Sequence, residues 1–210
     1  MGTKQILVDA KETQDHIVMT MKKPSLRYLT ELVNMKCGPD LLALGLFPNA
    51  KEVSESFAAF HAVRKHLRVM GLEGPQAFGR EDITVIAVGD GSTPRTAATF
   101  AFRSRWTCYS VDPRLREKWW GWKPKGIDRL WGVAQRIEDC HPVFDGPTII
   151  VAVHSHATLE ATLGAIEAPL RHIVAIPCCV PQELCIAPEI EYADWGIWSP
   201  ERTVKIWLNV

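Results

Sequence analysis

No apolar run in this 210-residue chain approaches the ~20 residues needed to cross a bilayer, so no membrane-spanning helix is expected. An excess of one charge is missing too. Lysine plus arginine and aspartate plus glutamate number 24 each, which removes any global electrostatic case for a nucleic-acid partner. Such a case has to rest on a local patch. The stretch from Met1 to Lys11 lacks the basic-then-apolar layout of a secretory signal, and a cytoplasmic location is the expectation. A disulfide framework is not expected either. The six cysteines are Cys37, Cys108, Cys140, Cys178, Cys179 and Cys185; two are adjacent and several sit in apolar, strand-like contexts, so they read as reduced thiols. Internal repeats and low-complexity segments are absent, and the length suffices for one domain with a proper core.

The richest segment is Ile83-Thr84-Val85-Ile86-Ala87-Val88-Gly89-Asp90-Gly91-Ser92-Thr93-Pro94, followed by the helix-forming run Arg95 to Phe102. A β-branched apolar run enters a Gly-x-Gly turn and a helix leaves it. That predicts a buried parallel strand whose tip and following helix N-terminus face an anionic or polar ligand. Gly89 and Gly91 permit positive φ and close main-chain approach. Ser92 or Thr93 is expected to cap the helix, with Pro94 in its first turn. A second apolar run, Thr107 to Val111, ends in Asp112, 112 − 89 = 23 residues past the first glycine. An acid at that spacing is where doubly wound folds grip a ribose.

The chain divides near residue 80. Residues 1–80 read as a helical N-terminal extension that caps the remainder of the chain. One helix is expected over Ser25 to Lys36. A second starts at the capping box Asn49-Ala-Lys-Glu52 and carries the stripe Val53, Phe57, Phe60, Val63, Leu67 and Met70 until Gly71 stops it. Residues 81–210 alternate strand and helix, which implies a mostly parallel sheet. The expected strands are Ile83–Val88, Thr107–Val111, one near Leu130–Ile137, Thr148–Val153 and His172–Ile176, with a helix over Thr158–Ala168. Tyr192–Trp198, the turn Ser199–Arg202 and Thr203–Leu208 then form a hairpin signature. The fold class is therefore α/β: a Rossmann-like, doubly wound, mostly parallel sheet closed by a C-terminal antiparallel hairpin.

From about residue 83 onward, the chain resembles the class I S-adenosylmethionine-dependent methyltransferases. The resemblance rests on Val88-Gly89-Asp90-Gly91, on Asp112 after the second strand and on the terminal hairpin. Within that superfamily, His154-Ser-His-Ala-Thr-Leu159 and Cys178-Cys179 are similar to a branch carrying a His-x-Cys-Gly-Asp-Leu motif and a Cys-Cys pair. This chain has His156, Ala157 and Thr158 where that branch has cysteine, glycine and aspartate, and Thr93 where the usual glycine-rich motif has a third glycine. The resemblance implies S-adenosyl-L-methionine as cofactor. Val88, Gly89, Asp90, Gly91, Ser92 and Thr93 would approach its methionine moiety, with Asp90 accepting from the ammonium. Asp112 would take the ribose hydroxyls, Glu138 and Asp139 would reach the adenine amino group, and His154 would border the same site. Asp90 has a second reading, as a loop carboxylate capping the Thr93–Arg95 turn.

His154, His156, Cys178 and Cys179 are expected at neighbouring strand tips, where open α/β sheets bind ligands. Two His and two Cys are a zinc set, but His-x-His and adjacent Cys-Cys lack the usual ligand spacing, so no metal is expected. His154 or His156 acting as a general base on a methyl acceptor is the stronger chemical reading, since imidazole titrates near neutrality. The alternative is that one His serves the wall and the cysteines are small buried apolar groups.

Arg114 to Trp131 interleaves Trp119, Trp120, Trp122 and Trp131 with Lys118, Lys123 and Lys125. Aromatic faces beside cations stack on bases or pack by cation–π contact. Lys118 to Lys125 is thus a candidate RNA or protein contact, expected on the acceptor side of the cleft. The resulting expectation is methyl transfer to an unidentified acceptor. Its rivals are a catalytically silent methyltransferase-like domain that binds RNA or protein and, more distantly, a nicotinamide-dependent oxidoreductase, which the terminal hairpin and missing third glycine disfavour.

Overall fold

The computed structural model describes residues 7–12, 17–22, 25–74, 76–178 and 183–210. The extension is not wholly helical. It contains an antiparallel pair, β1 (Leu7–Glu12) and β2 (Ile17–Lys22), in which Leu7 lies opposite Lys22. Val8, Ile17, Val18 and Thr20 are β-branched and favour extended chain. The helix expected over Ser25 to Lys36 is α1 (Arg27–Asn34), and a further short helix outside the sequence expectation, α2 (Gly38–Ala43), follows with Pro39 in its first turn.

α3 (Ala50–His66) starts where the capping box predicts: the Asn49 side chain accepts from the Glu52 amide at 3.1 Å. The Glu52 carboxylate does not turn back to complete the box but meets Arg95 Nε at 2.5 Å. All six residues of the predicted stripe are buried.

The sheet comes next. β3 (Thr84–Val88) leads through α4 (Arg95–Arg103) to β4 (Thr107–Val111). The helix expected between the second and third parallel strands is absent. In its place are a 3₁₀ turn at Glu117–Trp119, the two-residue strand β5 (Gly121–Trp122) and another turn at Pro124–Gly126. Gly121 and Pro124 explain this, since both break regular helix. β6 (Leu130–Val133), β7 (Thr148–Val153), α5 (Leu159–Ala165), β8 (Arg171–Ile176), β9 (Ile190–Ala193) and β10 (Thr203–Trp207) complete the fold.

The eight strands run in the order β5-β6-β4-β3-β7-β8-β10-β9. β6, β4, β3, β7 and β8 are parallel, and β10 inserts antiparallel between β8 and β9. Successive strand residues face opposite sides. Val85, Ala87, Ile149, Val151 and Val174 join the apolar cluster with α1, α3 and α4, whereas Ile86, Val88, Ile150, Ala152 and Ile173 join the one beneath α5. Both faces are covered, so the central strands read as unbroken apolar runs rather than alternating ones. α3 shares its core with the sheet, which brings a helix of the N-terminal region against the strand tips.

Candidate functional site

A cavity of about 420 Å³ opens at the C-terminal ends of β3, β4, β6 and β7. That is the end at which ligands bind in open α/β sheets, and the size falls in the ~300–1,000 Å³ range of small-molecule sites. Val88 and Gly89 form its floor. Asp112 and Arg114 follow β4, Gln135, Arg136 and Glu138 follow β6, and His154 and His156 follow β7.

Asp112 is buried and rigidly held. Its Oδ2 accepts from the Gly91 amide at 2.8 Å and its Oδ1 from the Arg114 amide at 2.7 Å. Each carboxylate oxygen keeps a further lone pair, and Arg114 Nε stands 3.5 Å from Oδ1. Glu138 and Asp139 are both exposed, and of the two only Glu138 lines the cavity.

The glycine-rich loop is arranged differently from the sequence expectation. The Asp90 carboxylate turns inward: Oδ1 accepts from the Thr96 amide at 2.9 Å, while Oδ2 takes the Ala97 amide at 3.1 Å and the Ser110 hydroxyl at 3.0 Å. Burial holds its carboxyl above the usual carboxylate range, and Arg95 with the amide donors offsets that only in part. Asp90 is thus the side chain that satisfies the first amides of α4. Neither Ser92 nor Thr93 caps that helix, and Pro94 stands just before its first residue. The Thr93 hydroxyl instead donates to the Leu46 carbonyl at 2.7 Å, tying the loop to the α2–α3 connection. Among the loop residues named from sequence, Val88 and Gly89 line the cavity; Asp90, Gly91, Ser92 and Thr93 stand behind it. Gly89 is at φ +74°, and a Cβ there would sit 2.5 Å from Ser155 Oγ, so the glycine permits close packing of the β3 and β7 tips.

His154 occupies a left-handed turn at φ +50°, unusual for a residue with a side chain. Its Nε2 stands 3.0 Å from Glu55 Oε1 and 3.4 Å from Ser199 Oγ. Glu55 belongs to α3, is 1% exposed, and also meets Lys51 Nζ at 3.1 Å. Burial pushes the Glu55 carboxyl up, but His154 and Lys51 outweigh it and hold the group below the usual carboxylate range. His154 is therefore a cavity-wall imidazole with a buried ionised carboxylate behind it. His156 is exposed at the rim. Sequence reasoning missed Glu55, although it is the one charged residue in the run Val53 to Ala62, whose other members are apolar, serine or His61. A lone charge on a buried helix face was the available signal.

Cys178 is partly buried beyond β8, and Cys179 lies outside the described residues. Among the described residues no three His, Cys, Asp or Glu side chains come together as a metal set. The Trp-rich segment sits at the β5 edge of the sheet, and none of Lys118 to Lys125 lines the cavity. Trp119 is fully buried; Trp120 and Trp122 are exposed, and Trp122 leans on Trp131 at 5.0 Å. The placement on the acceptor side of the cleft is corrected accordingly: pairing with β6 carries the segment to the outer edge. Among the described residues no helix is long and apolar enough to cross a membrane.

No protein-family profile matches the chain, and no curated protein matches it. Among solved structures, a mutant of MtNAS superposes with a TM-score of 0.50 at 10% identity, over 88% of this chain and 69% of that one. A 1,6-didemethyltoxoflavin-N1-methyltransferase from Burkholderia thailandensis, solved with 1,6-didemethyltoxoflavin and S-adenosylhomocysteine, gives a TM-score of 0.36 at 13% identity, over 99% of this chain and 80% of that one. The strand order and the first superposition together give this chain a Rossmann-like, mostly parallel α/β fold.

Proposed function

We propose that the chain is an S-adenosylmethionine-dependent methyltransferase whose acceptor is deprotonated by His154. The observation that carries this is the cavity at the strand tips with Asp112 fixed on its wall by two backbone amides. The donor set fits the cofactor. Asp112 offers acceptors to a ribose diol, Glu138 offers an acceptor to an exocyclic amine, and Gly89 lets the main chain approach the remainder. Bound there, S-adenosylmethionine supplies a methyl group activated by a sulfonium.

The remaining work falls to the chain. His154 Nε2 lies against Glu55, whose negative charge orients the imidazole and stabilises it once it has gained a proton. Lys51 balances Glu55, so the ionised carboxylate is not left buried and alone. His156, at the rim of the same cavity, is the second base candidate. A nicotinamide dinucleotide is disfavoured by the same geometry. Its pyrophosphate needs the helix N-terminus after β3, and the Asp90 carboxylate already occupies the Thr96 and Ala97 amides there.

Calorimetric titration with S-adenosylhomocysteine tests the reading. Binding is expected, and Asp112→Ala weakens it by ~1.5–3 kcal/mol, the range for hydrogen bonds to a charged group. Absence of binding by the folded wild type at millimolar ligand overturns the enzyme and favours a silent domain. For the base, release of S-adenosylhomocysteine from S-adenosylmethionine in the presence of a small-molecule extract is followed in His154→Asn and His156→Asn. His154→Asn is expected to slow it ~10²–10⁴-fold with cofactor affinity kept. An equal loss in His156→Asn alone transfers the role.

A further inference from the structure

A second and larger cavity, about 510 Å³, lies between α1, the C-terminal half of α3 and the β9–β10 connection, and shares no lining residue with the first. Arg27, Arg64 and Lys65 line it against one carboxylate, Asp194. Three cations and one anion leave a local charge of +2 in a chain whose formal net charge is zero. A concave site of one sign focuses its field on small counter-charged molecules.

The carboxylate is fully engaged. Asp194 is 4% exposed and takes the Tyr28 hydroxyl at 2.6 Å, Arg27 Nη2 at 2.5 Å and the Gly196 amide at 2.7 Å. It neutralises Arg27 and nothing further. Arg64 and Lys65 are exposed, and among the described residues neither has a carboxylate in salt-bridge range; Lys65 Nζ instead stands over the Tyr192 ring at 4.7 Å. The charge of Arg64 is felt by its surroundings, since it acts with burial to push His61 and Arg103 down. Buried Asp194 and Tyr28 hold the exposed Arg27 in place and make the floor, and the two cations of α3 stand above it.

We infer that this cavity is a binding site for a small molecule carrying a phosphate or carboxylate group, held by Arg64 and Lys65 over the Asp194–Tyr28–Arg27 floor. Arg64 and Arg27 provide planar donor pairs that match both oxyanions, and Lys65 adds a point charge. Along α3 the site stands nine residues beyond Glu55, or ~13 Å at 1.5 Å per residue, so it is distinct from the place where His154 acts. It does not depend on the methyltransferase reading.

The test uses the full chain and measures thermal shift and calorimetric binding with inorganic phosphate, pyrophosphate and benzoate, each against chloride at equal ionic strength. At least one anion is expected to raise Tm beyond the chloride control, since a ligand that binds the native state stabilises it. The double variant Arg64→Gln, Lys65→Gln alters exposed side chains only and is expected to weaken that binding by an order of magnitude. Arg68→Gln, beyond the end of the same helix and outside the cavity, should leave it unchanged, and S-adenosylhomocysteine titration should be the same in all three. Preference for phosphate or for benzoate identifies which oxyanion the site takes. No anion effect beyond chloride, or equal losses in the double variant and Arg68→Gln, overturns the proposal.

Discussion

Asp90→Ala separates a structural carboxylate from a ligand-binding one. The side chain accepts three buried hydrogen bonds, from the Thr96 and Ala97 amides and the Ser110 hydroxyl. Truncation leaves both amides at the start of α4 without a partner, and each unsatisfied buried donor costs ~1–3 kcal/mol. The serine hydroxyl can rotate toward another acceptor, so its loss weighs less. The sum is ~2–6 kcal/mol, a large share of the ~5–15 kcal/mol that holds a domain folded. Asp90→Asn keeps one acceptor but turns an amide NH₂ toward a donor, and should cost ~1–2 kcal/mol. Urea unfolding monitored by circular dichroism gives both values, with an unchanged m-value showing that the denatured state is the same. S-adenosylhomocysteine affinity should survive in Asp90→Asn. A loss below ~1 kcal/mol in Asp90→Ala, together with abolished ligand binding, would refute the cap and return Asp90 to the cofactor.

Gly89→Ala should destabilise by ~1–3 kcal/mol, because it places a Cβ 2.5 Å from Ser155 Oγ at φ +74°, and adding Ser155→Gly should restore part of the loss; unchanged melting would contradict the tight β3–β7 packing. His172 is fully buried, and burial pushes its imidazole below the ordinary 6.5, against a smaller opposing effect of the Met70 backbone. Above pH ~6.5 both states are neutral there, whereas below it the unfolded chain takes a proton the native state refuses. Stability should therefore fall on acidification by up to ~1.4 kcal/mol per pH unit from this group, and urea titrations of His172→Leu should show a shallower slope. At the sheet edge, Trp122→Phe should remove acrylamide-accessible fluorescence that Trp119→Phe leaves in place. Salt-sensitive quenching by short RNA that disappears in a Lys118→Gln, Lys123→Gln, Lys125→Gln variant would support a nucleic-acid partner there; no quenching would make the segment a structural edge.

The central architecture is written in local patterns of residues. Apolar runs of five or six residues between turn signals specify strands buried on both faces, and the positions of β3, β4, β7 and β8 agree with those runs to within a residue or so. The Asn49 cap and the α3 stripe were equally legible, because capping and helical periodicity are properties of neighbouring residues. The position of Asp112 just after β4 was legible for the same reason: the end of an apolar run marks a strand tip. The third strand came out shorter than expected, ending at Val133, since Ala134 to Ile137 leave the pairing with β4 and turn along the cavity wall.

Where the polar side chains of these elements make their hydrogen bonds was settled by three-dimensional packing alone. Asp90 stands in the loop that faces a ligand by sequence, yet three donors supplied by α4 and β4 draw it inward. Glu55 and His154 are 154 − 55 = 99 residues apart and meet because α3 packs on the sheet beside the β7 tip. The cations of α3 and the carboxylate of Asp194 come together across an even longer span of chain. Period and turn chemistry specify which face a residue belongs to, but a charged side chain is placed by the partners that offset its desolvation, and those partners are distant in sequence.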